Sequence, residues 1–167
     1  MNAIPKHTDY GLFADDTALW ATSNTLTNLK NHLQASVNEF YSWCKSWKLT
    51  VQPTKTEMIH FSPHPRKIYK NNMNIQVEDV TIKPSKSARY LGVYFDQKLD
   101  WRVHIRQVEN KAASKISLLR FLSKNNPHSN LKIMSNLYKS LVRSILIYGY
   151  PILLTANEKI WSRIQIT

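Results

Sequence analysis

The sequence predicts an α+β fold, mixed over residues 1–99 and helical over 100–167. Two observations predict it. Up to about residue 99, short apolar runs alternate with turn residues, interrupted by one long stretch of helical period. From Trp101 on, apolar side chains recur every three or four residues, through two helices separated at Pro127. Charge is also unevenly spread. Lys6, Lys30, Lys45, Lys48 and Lys55 balance Asp9, Asp15, Asp16, Glu39 and Glu57, so the formal net charge of +12 lies wholly beyond residue 60. An acidic hairpin followed by a basic remainder suits a polyanion held near a metal ion, with a solvated, soluble basic surface as the alternative.

The elements follow in order. Leu12-Phe13-Ala14 and Ala18-Leu19-Trp20 read as strands, with Asp15-Asp16 as the tight turn joining them. Taken alone, an Asp-Asp pair is more often a solvated turn than a metal site. Packing gives no reward for holding two carboxylates side by side, whereas a divalent cation does. Ser23-Asn24-Thr25 offers helix N-caps, and Leu26, Leu29, Leu33, Val37, Phe40, Cys44 and Trp47 form one apolar helical face that covers a sheet. Trp43 and Trp47 are expected in the core.

Leu49-Val51 and Glu57-Phe61 read as strands around a turn fixed by Pro53, with Lys55 close behind it. Lys55 is either a solvated loop charge or a cation reaching toward phosphate oxygens at the hairpin. Residues 62–72 read as an exposed loop; Pro63 and Pro65 deny His60 and His64 a common face, so they are not taken as metal ligands. Residues 75–82 suggest a hairpin turning at Glu78-Asp79. Residues 87–96 read as a further strand with Gly92 inside it.

Beyond Trp101, one helical face carries Trp101, Ile105, Val108, Ala112, Lys115/Ile116, Leu119 and Leu122. Arg102, Arg106, Lys111, Lys115 and Arg120 occupy the others. Ser129 or Asn130 caps a second helix with the stripe Leu131, Met134, Leu137, Leu141, Ile145 and Tyr148, closed by Gly149 and Pro151; a last amphipathic stretch runs from Asn157 to Ile166. At 167 residues and 43% hydrophobic, the chain suits one ordinary domain or two small ones. Cys44 is the sole cysteine, which excludes an internal disulfide and a cysteine-based zinc site. The longest apolar run, residues 145–154, is too short to span a bilayer and contains Pro151.

Three motifs then stand in order: Phe13-Ala14-Asp15-Asp16, Gln52-Pro53-Thr54-Lys55-Thr56-Glu57 and Tyr90-Leu91-Gly92-Val93. Together they resemble the reverse transcriptase of non-LTR retrotransposons, most closely the jockey-like group of insects. The resemblance runs over essentially the whole chain. It implies a partial polymerase palm, an antiparallel sheet with a covering helix, over residues 1–99. A helical thumb-like region over residues 100–167, truncated at its C-terminus, would follow. The implied activity is RNA-directed DNA synthesis using two divalent metals, Mg²⁺ or Mn²⁺.

By the match, Asp15 is the direct metal ligand and Asp16 its auxiliary. Lys55 sits where the family places a lysine that neutralises or protonates the departing pyrophosphate. Tyr90-Leu91-Gly92-Val93 looks like the primer-grip hairpin at the palm–thumb junction, in which Tyr90, Leu91 and Gly92 would position the primer strand. The basic helical faces, with Arg102, Arg106, Lys111 and Lys115, would follow the backbone of RNA template and DNA primer.

The departures shape the expectation as much. Gln52 replaces the family's usual Asn. The family's Pro-Gln-Gly box, fingers and further metal-binding aspartate lie upstream of such a hairpin. Here fourteen residues precede Asp15, and Asp9 has neither the spacing nor the context to substitute. The reading is therefore of a fragment, weak in metal binding and inactive alone, whose partners would include the missing fingers and palm portion and no membrane. The sequence assigns no localisation; if expressed, a chain of this kind would act inside the cell, in the nucleus or a cytoplasmic ribonucleoprotein. Two alternatives stand beside it: a non-catalytic, basic nucleic-acid-binding module, and a relic reading frame without independent function.

Overall fold

A computed structural model describes residues 7–62, 73–126 and 130–155. It is a mixed α+β chain, and it divides into two compact units, residues 1–92 and 93–167.

In the first unit, β1 (Thr8–Phe13) and β2 (Asp16–Ala21) form an antiparallel hairpin with six residue pairs, from Thr8 opposite Ala21 to Phe13 opposite Asp16. The turn is Ala14-Asp15, not the expected Asp15-Asp16, because the register makes Asp16 the first paired residue of β2. Ala14 carries the positive φ of 52° that opens the turn, the pattern of a hairpin whose turn twist matches its strands.

Helix α1 (Leu26–Ser46) starts at Thr25, whose hydroxyl accepts from the Asn28 N–H at 3.3 Å. One face of α1 packs on both strands of this hairpin and on β4 (Ile75–Val77). Leu29, Leu33, Val37 and Tyr41 cover a core of Met58, Met73, Ile75, Val77 and Ile82. Polar contacts fix the same faces. The buried Ser36 hydroxyl bonds that of Thr8 at 2.6 Å. The Gln34 amide pairs with the Gln76 backbone in both directions, at 2.7 and 2.8 Å, and so occupies one edge of β4 as a strand would. The Tyr41 hydroxyl donates to Glu78.

At its C-terminus α1 closes in a Schellman motif, with Lys48 N–H donating to the Lys45 carbonyl and Leu49 N–H to that of Cys44. That closure removes the expected strand at Leu49-Val51: the Leu49 amide is spent capping a helix, and the three residues pair with nothing as a strand. Trp47 is likewise a correction. It lies at the cap and is 67% exposed, while Trp43 is half-buried against it. Burial pushes the Cys44 thiol pKa up.

The expected strand at Glu57–Phe61 shortens to β3 (Met58–Ile59), which pairs in parallel with β6 (Pro84–Ser85). Hairpin β4–β5, with β5 at Val80–Ile82, turns at Glu78-Asp79 as its sequence predicts. The run at residues 87–96 is not one strand. Leu91 (φ 48°) and Gly92 (φ 80°) form a two-residue turn between β7 (Ser87–Tyr90) and β8 (Val93–Asp96). Gly92 supplies a left-handed conformation there rather than a close approach within a strand. Among the described residues the strands pair only two by two, so α1 covers separate hairpins instead of one continuous sheet.

In the second unit, α2 (Arg102–Asn125) buries His104, Ile105, Val108 and Ala112. Trp101 precedes the helix as its cap, at φ 63°, with its ring buried against Phe95. Asn130 caps α3 (Leu131–Tyr138) by accepting from Lys132 N–H at 2.8 Å. A π-helical stretch, Lys139–Arg143, then leads into α4 (Ser144–Ile147). Its wider turn makes Val142 the fully buried residue, which the expected stripe omits, while Leu131 and Tyr148 at the ends of that stripe are exposed. Gly149 (φ 77°) and Pro151 open the short α5 (Tyr150–Leu153). No helix among the described residues is long and apolar enough to cross a membrane. His64, Pro127, Ser129 and the stretch from Asn157 to Ile166 lie outside the described residues.

Candidate active site

The carboxylate turn is built by strand chemistry. Six cross-strand pairs carry the chain up to Phe13 and Asp16, and Ala14-Asp15 closes it. Asp15 and Asp16 are both exposed. Among the described residues, neither carboxylate takes part in a side-chain hydrogen bond or ion pair. Two adjacent anions without a compensating donor are a poor structural device and a usable cation seat. No group of three or more His, Cys, Asp or Glu among the described residues is placed to hold a metal ion, so any ion here would rest on this pair together with ligands from elsewhere.

Lys55 ends a single 3₁₀ turn, Pro53–Lys55, held by Lys55 N–H to the Gln52 carbonyl and Thr56 N–H to that of Pro53, each 3.1 Å. That turn packs against β5, and its lysine is exposed with no ion-pair partner among the described residues. Glu57, the last residue of the motif, accepts the Arg89 N–H at 3.0 Å, which ties it to the strand ending at Tyr90.

Tyr90 is half-buried. Its hydroxyl donates to the Gly11 carbonyl on β1 at a long 3.4 Å, so the Tyr-Leu-Gly motif and the carboxylate hairpin meet directly although 79 residues separate them. Leu91 and Gly92 form the adjoining turn.

The four cationic candidates on α2 are all exposed, with Arg102 also paired to Asp100 at 3.2 Å. They do not share a face. Arg102 and Arg106 lie one turn apart, and Lys111 and Lys115 lie about 180° around the helix from them. Exposed Arg120 and Lys124 return to the Arg102–Arg106 meridian about five turns on, with Glu109 interrupting the row. Lys124 belongs to no motif and is not singled out by the sequence reading; counting at 100° per residue along the predicted helix places it beside Arg120 on this meridian.

Sequence reading also passed over Asp96 and His104. The buried Asp96 carboxylate accepts from the N–H groups of Lys98 and Asp100, both at 3.0 Å, and Trp101, at 2.9 Å. It thereby holds the loop that launches α2, in which Leu99 and Trp101 both have positive φ. The buried His104 accepts from Tyr94 N–H at Nδ1, at 3.4 Å, and its Nε2 has no partner. Burial, and then the charge of Lys111, lower its pKa.

With this geometry in place, comparison with known proteins is informative. Residues 1–95, more than half of the chain, match the family model described as reverse transcriptase (RNA-dependent DNA polymerase). The chain is 27% identical to the probable RNA-directed DNA polymerase from transposon BS of Drosophila melanogaster, over 98% of this chain and 18% of that protein. It is 23% identical to the RNA-directed DNA polymerase from mobile element jockey of the same species, over 92% and 16%. A Pol polyprotein from the type-1 retrotransposable element R1 4 of Nasonia vitripennis is 26% identical over 82% of this chain and 38% of that protein. The chain thus spans less than a fifth of the length of the first two relatives. No solved structure matches it significantly. The matched residues contain the carboxylate hairpin, the Lys55 turn and the Tyr90 turn, and the chain belongs to the reverse transcriptase family, with relatives among non-LTR retrotransposon polymerases.

Proposed function

We propose that this chain carries the carboxylate turn and primer-side turn of an RNA-directed DNA polymerase. Residues 1–99 would form the C-terminal part of its palm, and residues 100–167 a thumb-like region. The observation that carries the reading is the exposed Asp15-Asp16 pair, without a side-chain hydrogen bond or ion pair among the described residues, on a hairpin whose β1 backbone is gripped by Tyr90. In this role Asp15 and Asp16 hold Mg²⁺ or Mn²⁺, Asp15 as the direct ligand. Bound ions of this kind supply Lewis-acid stabilisation of charge on the phosphoryl group being transferred. Lys55 neutralises or protonates the leaving pyrophosphate, its ammonium being exposed and unpaired among the described residues. Leu91 and Gly92 face the primer strand. Arg102 and Arg106 on one side of α2, and Lys111 and Lys115 on the other, contact template–primer phosphates.

Two carboxylates are a thin ligand set for a hard cation that otherwise relies on water and substrate phosphates. A polypeptide of these 167 residues is therefore expected to bind metal weakly and to extend no primer. The test is primer extension on an RNA template with Mg²⁺ or Mn²⁺. Incorporation that Asp15→Ala abolishes would overturn the expected inactivity and place a complete site within this chain.

A second reading is a nucleic-acid-binding module without catalysis, favoured by the exposed row Arg102, Arg106, Arg120 and Lys124. It expects RNA–DNA duplex binding that falls steeply with salt, survives Asp15→Ala/Asp16→Ala, and is lost in Arg106→Ala/Arg120→Ala. Failure to retain duplex at low salt sinks it.

A further inference from the structure

Gly11 sits in the interior of β1, where glycine weakens a strand unless another group comes close. A group does come close. A Cβ at residue 11 would meet the Tyr90 hydroxyl at 3.3 Å and the Trp20 ring at 3.4 Å. Both contacts are tighter than most side chains make, so a neighbour would have to give by a few tenths of an ångström, and the same hydroxyl bonds the Gly11 carbonyl. The missing side chain at residue 11 is thus the seat into which Tyr90 reaches.

The seat joins two turns. Tyr90 is the last residue of β7, immediately before the Leu91-Gly92 turn. Gly11 lies in the middle of the six-pair ladder that ends at Ala14-Asp15. A paired hairpin transmits a displacement along its length better than a single strand does, and Asp15 is about 13 Å of extended chain from Gly11. Lifting the hairpin at Gly11 therefore shifts the carboxylates against the Leu91-Gly92 turn. Trp20 supports the arrangement from the neighbouring strand, across from Asp9, and is half-exposed.

We propose that Tyr90 is a positioning residue: its hydroxyl, seated on Gly11, sets the height of the Asp15-Asp16 turn relative to the Leu91-Gly92 turn. This role differs from contact with the primer itself, because the polar end of the side chain is engaged by the hairpin backbone. The functional consequence rests on the metal-holding role proposed above, whereas the seat does not.

The test uses the whole chain with Gly11→Ala, Tyr90→Phe and the double variant, read first by backbone amide shifts without metal. Gly11→Ala moves the amides of Asp15, Asp16, Leu91 and Gly92 together. Adding Tyr90→Phe removes the closest clashing atom and returns them toward wild type, a rescue that a general packing defect would not show. Shifts confined to residues 10–12 and 18–20, or a double variant no nearer wild type than Gly11→Ala, overturn the proposal. If Gly11→Ala does not fold, Tyr90→Phe alone decides: displacement of both turns supports the seat, and displacement of neither overturns it. A Mn²⁺ titration then reads the consequence, with half-saturation at Asp15 and Asp16 weakened about threefold or more by Gly11→Ala and restored to within about twofold in the double variant. Absence of Mn²⁺ broadening in the wild type refutes the metal role alone, since the metal-free shifts still decide the seat.

Discussion

The two units each present aspartates at a turn, and they treat them in opposite ways. Asp15 and Asp16 stand exposed at a hairpin tip with no side-chain hydrogen bond or ion pair among the described residues. Asp96 is buried, 7% exposed, and its two oxygens accept three backbone N–H groups. A buried carboxylate that holds three backbone donors is committed to the fold. A pair left bare at the tip of a two-stranded ladder gives nothing to the fold.

The largest expected effect lies in this contrast. Asp96→Ala orphans three N–H donors in the loop that holds Leu99 and Trp101 at positive φ, and should cost about 2–4 kcal/mol by denaturant unfolding. Asp15→Asn and Asp16→Asn should change stability by no more than about 0.5 kcal/mol, since both carboxylates are exposed and have no hydrogen-bond or ion-pair partner among the described residues. Equal costs at Asp96 and Asp16 would erase the distinction between a structural and an available carboxylate.

A second, smaller effect tests whether the unit containing Asp96 relies on other buried polar groups. His104 is buried with Nδ1 accepting from Tyr94 N–H and Nε2 without a partner. Burial and Lys111 both disfavour its charged form, so its folded pKa lies below that of the unfolded chain. The unfolded state therefore takes up a proton first as pH falls. Stability from this group is complete above the ordinary histidine pKa of about 6.5 and declines below it. Thermal unfolding of the wild type should lose midpoint between pH 7.5 and 5.5, and His104→Gln should lose less over the same interval. Parallel slopes would remove His104 from the comparison.

How much of this was legible depends on whether the signal was local. Helix α1 was readable with its cap, since Thr25 and the recurrence from Leu26 to Cys44 lie within one element. So was the turn at Glu78-Asp79. The Asp15-Asp16 hairpin was readable to within one residue, because periodicity places strands but register assigns the turn. Tertiary commitments were not legible. Nothing near Tyr90 announces that its hydroxyl reaches Gly11, and nothing near Asp96 announces three amides waiting for it. Read by pattern alone, residues 87–96 form one strand, because Leu91 and Gly92 sit in a run of β-forming residues; the positive φ values of those two residues instead make the turn of a hairpin, as the resemblance implies for Tyr90-Leu91-Gly92-Val93. The strand expected at Leu49-Val51 failed for a similar reason: its first amide had already been taken by the end of α1.

That helix end supplies the smallest test, and it returns to the contrast between strain that is compensated and strain that is not. Lys48, at φ 57°, is the left-handed residue of the Schellman closure, a position where glycine avoids the Cβ clash. Its side chain is exposed and forms no hydrogen bond or ion pair among the described residues. Trp101, at φ 63°, bears the same backbone cost but has a buried ring, an indole N–H donating to Thr155 at 3.0 Å, and an amide held by Asp96. Lys48→Gly should therefore stabilise the chain by about 0.5–1 kcal/mol, because only strain is removed. Trp101→Gly relieves the same strain but should destabilise it by about 3 kcal/mol or more, through the lost ring. A chain destabilised by Lys48→Gly would mean that Lys48 makes a contribution in its left-handed position that outweighs the strain.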